Sequence, residues 1–277
     1  MLKLVILDVE GVLTLPGGGQ YPWPLDDLGR VRRYLEETAL PCVLCTGRQQ
    51  PYGEAVIQGL NLFRRLSPEQ SADAVRRDGP ELLAWPSIME NGAYFYDPLA
   101  KRPFPHPDLT PERIHVLQRV RTEILWPLAR ETGAVVEAGK DFTVSVNPPP
   151  ITPGSSERQS TVDFFPIIVS ALGGFADELE VKASVSAIDI TPRGISKASA
   201  VRLLLHWLGL APKEVLGVGD TGADKLWLQV VGWRAAPANG REALPGMHFY
   251  AQGEVAAGLL EILQHALKQG WGGAGGA

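Results

Sequence analysis

Four short runs carry the residue types that could do chemistry: Asp8-Val-Glu10-Gly-Val-Leu-Thr14, Cys45-Thr46-Gly47-Arg48, Lys197 in Gly-Ile-Ser-Lys, and Gly219-Asp220-Thr-Gly-Ala-Asp224. Carboxylates are hard oxygen ligands, and two of them delivered to one place can share a divalent cation. A carboxylate held beside such a cation can attack phosphorus in line. A lysine can neutralise charge on the transferring group, and a hydroxyl with nearby N–H groups can hold its oxygens. Brought together, the four runs would make a phosphoryl-transfer centre.

The elements around them supply the means of delivery. Leu2-Lys3-Leu4-Val5-Ile6-Leu7 is an apolar run that reads as a buried strand, with Asp8 emerging at its end. Val215-Leu216-Gly217-Val218-Gly219 repeats the device ahead of Asp220, and a strand over 42–45 ends at Thr46. Ligands of open α/β sheets bind outside the carboxyl ends of the strands. Ile195, Ala198, Val201, Leu204, Leu205 and Leu208 recur at helical spacing with Gly209 as a stop, so Lys197 falls in a first helical turn. The free N–H groups of that turn can face the same anion as its ammonium. Further helices are expected over 26–37, 51–60 and 68–77, and a third core strand over 85–90. This alternation predicts an α/β fold with a doubly wound parallel sheet.

The pattern is interrupted once. After Asp97-Pro98 and Pro103-Phe-Pro-His-Pro107 come a long helix over 111–132, strands over 135–138 and 142–147, and a helix over 161–172, separated by loops rich in Pro, Gly and Ser. These features predict an inserted α+β domain at 92–187 between two halves of a core at 1–91 and 188–277. Gly17, Gly18 and Gly19 lack a following Gly-Lys-Ser/Thr and read as a mobile flap, and the low-complexity residues 272–277 as a disordered end.

Composition narrows the function. With 277 residues, 45% of them hydrophobic, the chain can bury a sizeable core. A net charge of −5 and dispersed arginines leave no basic face for nucleic acid. Every apolar run falls short of the roughly 18–20 residues that cross a bilayer, so no membrane partner and a cytoplasmic location are expected. Cys42 and Cys45, three apart on one strand, point to opposite faces, which argues against a disulfide or a metal clip and for two buried small hydrophobes. The five histidines show no ligand spacing.

The four runs, in this order and at these separations, resemble the motifs of the haloacid dehalogenase superfamily, in particular its Cof-type sugar-phosphate phosphatases with a large cap between the second and third motifs. The resemblance extends to Glu90-Asn91-Gly92-Ala93, to Ile188-Asp189-Ile190-Thr191-Pro192-Arg193-Gly194 and to Ala238-Asn239-Gly240. It implies a Mg2+-dependent phosphomonoester hydrolase for a phosphorylated sugar or similar small metabolite, with the cap closing over the core. Asp8 would be the nucleophile, Glu10 the general acid and base, and Lys197 the charge-neutralising cation. Thr46, Gly47, Arg48 and Asn91 would bind substrate. The metal would be held by Asp8, by the main-chain carbonyl of Glu10, by Asp220 and by Asp224, the last ligating directly, through water, or orienting Lys197. Asn91 and Asp189 would lie at the hinge.

Two positions depart from the pattern. The superfamily normally has Asp where this chain has Glu10, and the added methylene moves the carboxylate by roughly a bond length, a displacement that matters for proton transfer. It usually has Asn where this chain has Ala223. Two other readings therefore share the scaffold: a phosphotransferase or sugar-phosphate mutase, and a catalytically impaired phosphate-ligand binding protein.

Overall fold

A computed structural model describes residues 1–16, 21–152 and 154–271; the proposed flap at 17–19 and the terminal run at 272–277 lie outside them. The first stretch contains β1 (Leu4–Leu7), α1 (Leu25–Thr38), β2 (Cys42–Leu44), α2 (Gln50–Leu60), α3 (Pro68–Arg76), β3 (Ser87–Met89), β4 (Tyr94–Asp97) and β5 (Arg102–Pro105). Next come α4 (Pro111–Arg119), α5 (Trp126–Thr132), β6 (Val135–Val136), β7 (Val144–Asn147), α6 (Thr161–Leu172), β8 (Leu179–Ala183) and β9 (Ile188–Pro192). The last stretch is α7 (Lys197–Trp207), β10 (Val215–Val218), α8 (Lys225–Leu228), β11 (Trp233–Ala236), β12 (Phe249–Tyr250) and α9 (Val255–Lys268).

Five of these strands form a parallel sheet in the order β12-β11-β10-β1-β2. Both β1 and β10 are buried along their whole length, which is why their sequences are unbroken apolar runs rather than alternating ones. Leu4 and Ile6 share a core cluster with Ala198, Val201 and Leu204 of α7 and with Trp227, while Val5 and Leu7, which point to the other face, are equally buried. Val43 and Cys45 belong to that same cluster and Cys42 does not. Both cysteines are free and buried. The chain leaves β1 toward β2 on one side and reaches β10 on the other, so β1 and β10 flank the topological switch point where such sheets place their ligands.

The chain divides into two compact units, residues Met1–Phe104 with Lys197–Ala277 and residues Pro105–Ser196. Both boundaries fall later than the 91/92 and 187/188 expected from the sequence. At the first, β4 pairs antiparallel with β3 and β5 follows in the same sheet, holding residues 94–104 on the first unit. At the second, β9 does not re-enter the core: it lies between β7 and β8 in the four-stranded antiparallel sheet β6-β7-β9-β8 of the inserted unit. Asp189 is accordingly a strand residue of that sheet, accepting a hydrogen bond from its cross-strand partner Ser145, and not a hinge residue. The helix expected over 111–132 is three pieces, with π-helical turns at Val120–Leu125 between α4 and α5. Pro127, which has no N–H to return to the helical ladder, follows directly. Among the described residues no helix is long and apolar enough to cross a membrane.

The β4–β5 turn is tied to the first unit by Asp97, fully buried, whose carboxylate accepts backbone N–H bonds from Leu83, Ala84, Leu99 and Ala100 at 2.6–3.1 Å. Replacing Asp97 with Ala orphans four donors, each worth about 1 kcal/mol or more when buried. Asp97→Ala is expected to lower the unfolding free energy by about 3 kcal/mol, read from urea denaturation.

Candidate active site

The carboxyl ends of β1, β2 and β10 deliver the acidic and hydroxyl groups to one place. The Asp8 N–H still donates to the Val218 carbonyl (2.9 Å), so the parallel ladder persists to the residue that carries the carboxylate. On the other side, the Cys45 N–H donates to Leu7 and the Thr46 N–H to Ile88, which extends the sheet toward β3 and fixes Thr46 beside β1. Asp8, Asp220 and Asp224 are all buried, and one carboxylate oxygen of each lies within 4.8 Å of the others.

Lys197, at the start of α7, enters the same cluster. Its ammonium lies 3.1 Å from Asp8 Oδ1 and 2.8 Å from Asp224 Oδ1. Burial works against that charge, yet Asp224 and then Asp8 outweigh it and hold the lysine well above its ordinary pKa. For Asp8 the balance runs the other way: burial, then the neighbouring Asp224, push its carboxyl well above the usual range, and Lys197 offsets them only in part. Asp220 is pushed up to about 7 by burial and by Asp224. Burial is the largest influence on Asp224 and would raise it, but Lys197 and the hydrogen bonds from Lys197, Trp227 and Thr221 together outweigh it and keep the carboxyl below its ordinary range.

Asp224 is the most heavily bonded member. Its Oδ1 accepts from Lys197 and from the Trp227 indole N–H (2.8 Å), and its Oδ2 accepts from the N–H groups of Asp220 and Thr221 and from the Thr221 hydroxyl, each at 3.2 Å. Five donors exceed the four or so lone-pair directions of a carboxylate. Asp220 contrasts with it. Its Oδ1 is buried with no hydrogen-bond partner, and its Oδ2 has the Asn239 amide at 3.5 Å. The Asn239 amide also donates to the Gly11 carbonyl at 2.9 Å. Gly11 has φ +74, and a Cβ there would stand 1.8 Å from Asp220 Oδ2. Only glycine combines that backbone with so close an approach.

The remaining expected residues also gather in this unit. The Arg48 N–H donates to the Thr46 hydroxyl oxygen (3.1 Å), and Asn91 donates its N–H to the Thr46 carbonyl (3.0 Å). The Asn91 amide lies against Gly47, where a Cβ would come within 2.9 Å of its Oδ1. Glu90, Asn91 and Gly92 have φ of 45°, 57° and 98°, three left-handed residues in succession, a strained turn of the kind that clusters at functional sites. Glu10 is set apart from the cluster of Asp8, Asp220 and Asp224: its side chain reaches Arg48 in a two-pronged pair, Nε to Oε2 at 3.0 Å and Nη2 to Oε1 at 2.5 Å. Trp227, Gly11 and Asn239 had no assigned role in the sequence reading. For Trp227 the available signal was its position three residues after Asp224 at a helix start, which puts both on one face.

With this geometry in place, relatives can be compared. A family model described as haloacid dehalogenase-like hydrolase matches residues 176–247. A phosphoglycolate phosphatase of Aeropyrum pernix is 26% identical over 273 residues, covering 96% of this chain and 94% of that protein. Two further matches are local. The chain spans 11% of a chloroplastic endoribonuclease YBEY of Arabidopsis thaliana (37% identity, 22% of this chain) and 42% of a phosphoglycolate phosphatase of Methanothermobacter thermautotrophicus (30% identity, 34% of this chain). Among solved structures, a haloacid dehalogenase-like hydrolase from Bacteroides thetaiotaomicron superposes with a TM-score of 0.65 at 15% identity, covering 96% of this chain and 99% of that one. The sucrose-phosphatase of Synechocystis, solved with sucrose and phosphate, gives 0.58 at 15% identity over 96% and 98%. The family match over residues 176–247 and the shared fold agree with the resemblance that the four motifs carry.

Trp227→Phe keeps a buried ring and deletes one donor to Asp224. Because hydrogen bonds to charged groups are worth about 1.5–3 kcal/mol, the variant is expected to lose that much unfolding free energy in urea. A loss under about 0.5 kcal/mol would mean that the indole only fills space.

Proposed function

We propose that this chain is a Mg2+-dependent phosphomonoesterase that acts through Asp8 on a small phosphorylated metabolite. The observation that carries the reading is the buried cluster of Asp8, Asp220 and Asp224 with Lys197, in which one oxygen of Asp220 has no partner. The relatives named phosphoglycolate phosphatase and sucrose-phosphatase point, by their names, to small polar monoesters. The insertion Pro105–Ser196 is assigned substrate selectivity.

The donor set fits a hard divalent cation. It is all oxygen, buried, and includes the orphaned Asp220 Oδ1, which lies beside a glycine that leaves room for nothing larger. Asp8, Asp220 and the Glu10 carbonyl would hold it. Asp224, with five donors on its two oxygens, is assigned to orienting Lys197 instead. When bound, the cation would neutralise negative charge as nucleophile and phosphoryl group approach.

The residues of the chain then divide the reaction. The Thr46 hydroxyl and the Lys197 ammonium hold the phosphoryl oxygens, with Gly47 permitting close approach. Asp8 Oδ attacks phosphorus, the ester P–O bond breaks, and the leaving oxygen takes a proton from Glu10. Water then attacks the aspartyl-phosphate, giving that proton back to Glu10 and releasing inorganic phosphate and the free Asp8 carboxylate.

Phosphate release from a panel of small phosphate monoesters, with and without magnesium, tests the reading. Asp8→Asn should cut turnover on the order of 10³-fold or more while the fold survives. Wild-type turnover in the purified variant would overturn the nucleophile assignment. Release that does not require a divalent cation would overturn the metal assignment.

A pH dependence follows from Asp220, which burial and Asp224 push up to about 7. Its raised pKa means that the proton is bound below that pH and must leave before the carboxylate can ligate. Apparent magnesium affinity should therefore fall by about tenfold per pH unit below about 7 and level off above it. Titrations superimposable at about pH 5.5 and pH 8 would contradict it.

A further inference from the structure

The guanidinium of Arg48 is a finished carboxylate site, and its present occupant belongs to the chain itself. Both prongs face Glu10, at 3.0 and 2.5 Å. The side chain is only 14% exposed. Its cationic carbon stands 5.2 Å from the centre of the Tyr52 ring, and its own N–H is bonded to the Thr46 hydroxyl, so the fork is held from its face and from its root. A planar fork of this kind matches a carboxylate in two-pronged fashion, which a lysine cannot do.

The occupant has a competing duty. In the proposed function, on which this inference rests, Glu10 carries a proton to and from the ester oxygen. Here both of its oxygens are engaged by Arg48, so the arm is pinned away from that task until it leaves the fork. The added methylene that distinguishes Glu from Asp is what gives it the reach. The Glu10 side chain is 32% exposed, so water can take over its hydrogen bonds when it leaves. The largely buried guanidinium, by contrast, favours keeping an anion in the fork. An exchange that puts another carboxylate there keeps the guanidinium paired, and the freed Glu10, no longer held as an anion, takes from water the proton that it later gives to the ester oxygen.

We propose that Arg48 is a specificity residue for a carboxylate on the substrate, and that this carboxylate displaces Glu10 from the guanidinium fork. The substrate class is a phosphate monoester of a short hydroxy acid. The carboxylate must lie close to the ester, because Arg48 is two residues from Thr46 and hydrogen-bonded to the hydroxyl assigned to the phosphoryl group. A neutral ester of the same length leaves Glu10 where it is.

The test compares 2-phosphoglycolate with its neutral counterpart 2-hydroxyethyl phosphate, using p-nitrophenyl phosphate with magnesium as the reference ester. Wild type is expected to prefer 2-phosphoglycolate by about 10- to 100-fold in kcat/KM, the range of a charge-assisted hydrogen-bonded pair. Part of the preference should fall in kcat, because the carboxylate frees the proton carrier as well as binding. In Arg48→Gln the ratio should drop to within about threefold of unity, and Arg48→Lys, with charge but no fork, should lie between. A wild-type ratio near unity, or a preference that survives in Arg48→Gln, overturns the inference. So does a preference confined to KM, which would leave Glu10 undisturbed, or an equal loss on both esters in the Arg48 variants, which would place Arg48 on the phosphoryl group. Absence of turnover on p-nitrophenyl phosphate by wild type would instead overturn the phosphatase reading itself, and this inference with it.

Discussion

Three carboxylates packed around one ammonium inside a protein set the terms for the rest of this molecule. Two like charges less than 5 Å apart repel by roughly 3 kcal/mol or more even at an effective dielectric of about 20, and burial adds a desolvation cost for each. Lys197 compensates for one charge, shared between Asp8 and Asp224. The excess is what pushes Asp8 and Asp220 upward and leaves the site receptive to a proton or a cation. Such an arrangement persists only where the surrounding fold is stable enough to impose it.

The parallel sheet provides that support. Asp8 continues the ladder of a strand buried on both faces, Thr46 is held between β1 and β3 by main-chain bonds, and Asp220 follows β10 by two residues. None of these backbones can shift without breaking sheet hydrogen bonds in the core. The finer placement is done by groups with no chemistry of their own. Trp227 and Thr221 saturate Asp224, so that it acts as a fixed counter-charge for Lys197. Gly11 and Asn239 flank Asp220.

Glu10 illustrates how one methylene redirects a residue. Longer than Asp by that methylene, it reaches a guanidinium rooted at the end of β2, and the two together form a polar pair beside Thr46. The pair is only partly exposed on the arginine side and more open on the glutamate side, so the mobile partner is the glutamate.

The sequence by itself determined which residues would stand at strand ends and in what order, because unbroken apolar runs closed by Asp or Thr are local patterns with one good solution in a doubly wound sheet. Asp8, Thr46 and Asp220 were legible for that reason, while helical periodicity made legible Lys197 with its helix and the helix over 161–172. What only the tertiary structure decided were pairings between distant segments. Glu10 meets Arg48 across 38 residues and Asn239 meets Gly11 across 228, and no periodicity encodes such partners. The same holds for β9: its alternation announces a strand, but whether it pairs with the core or with β7 and β8 depends on which sheet has an open edge to offer. Side-chain reach, free lone pairs and strand partners are properties of the assembled neighbourhood, and they exist only once the chain has folded around them.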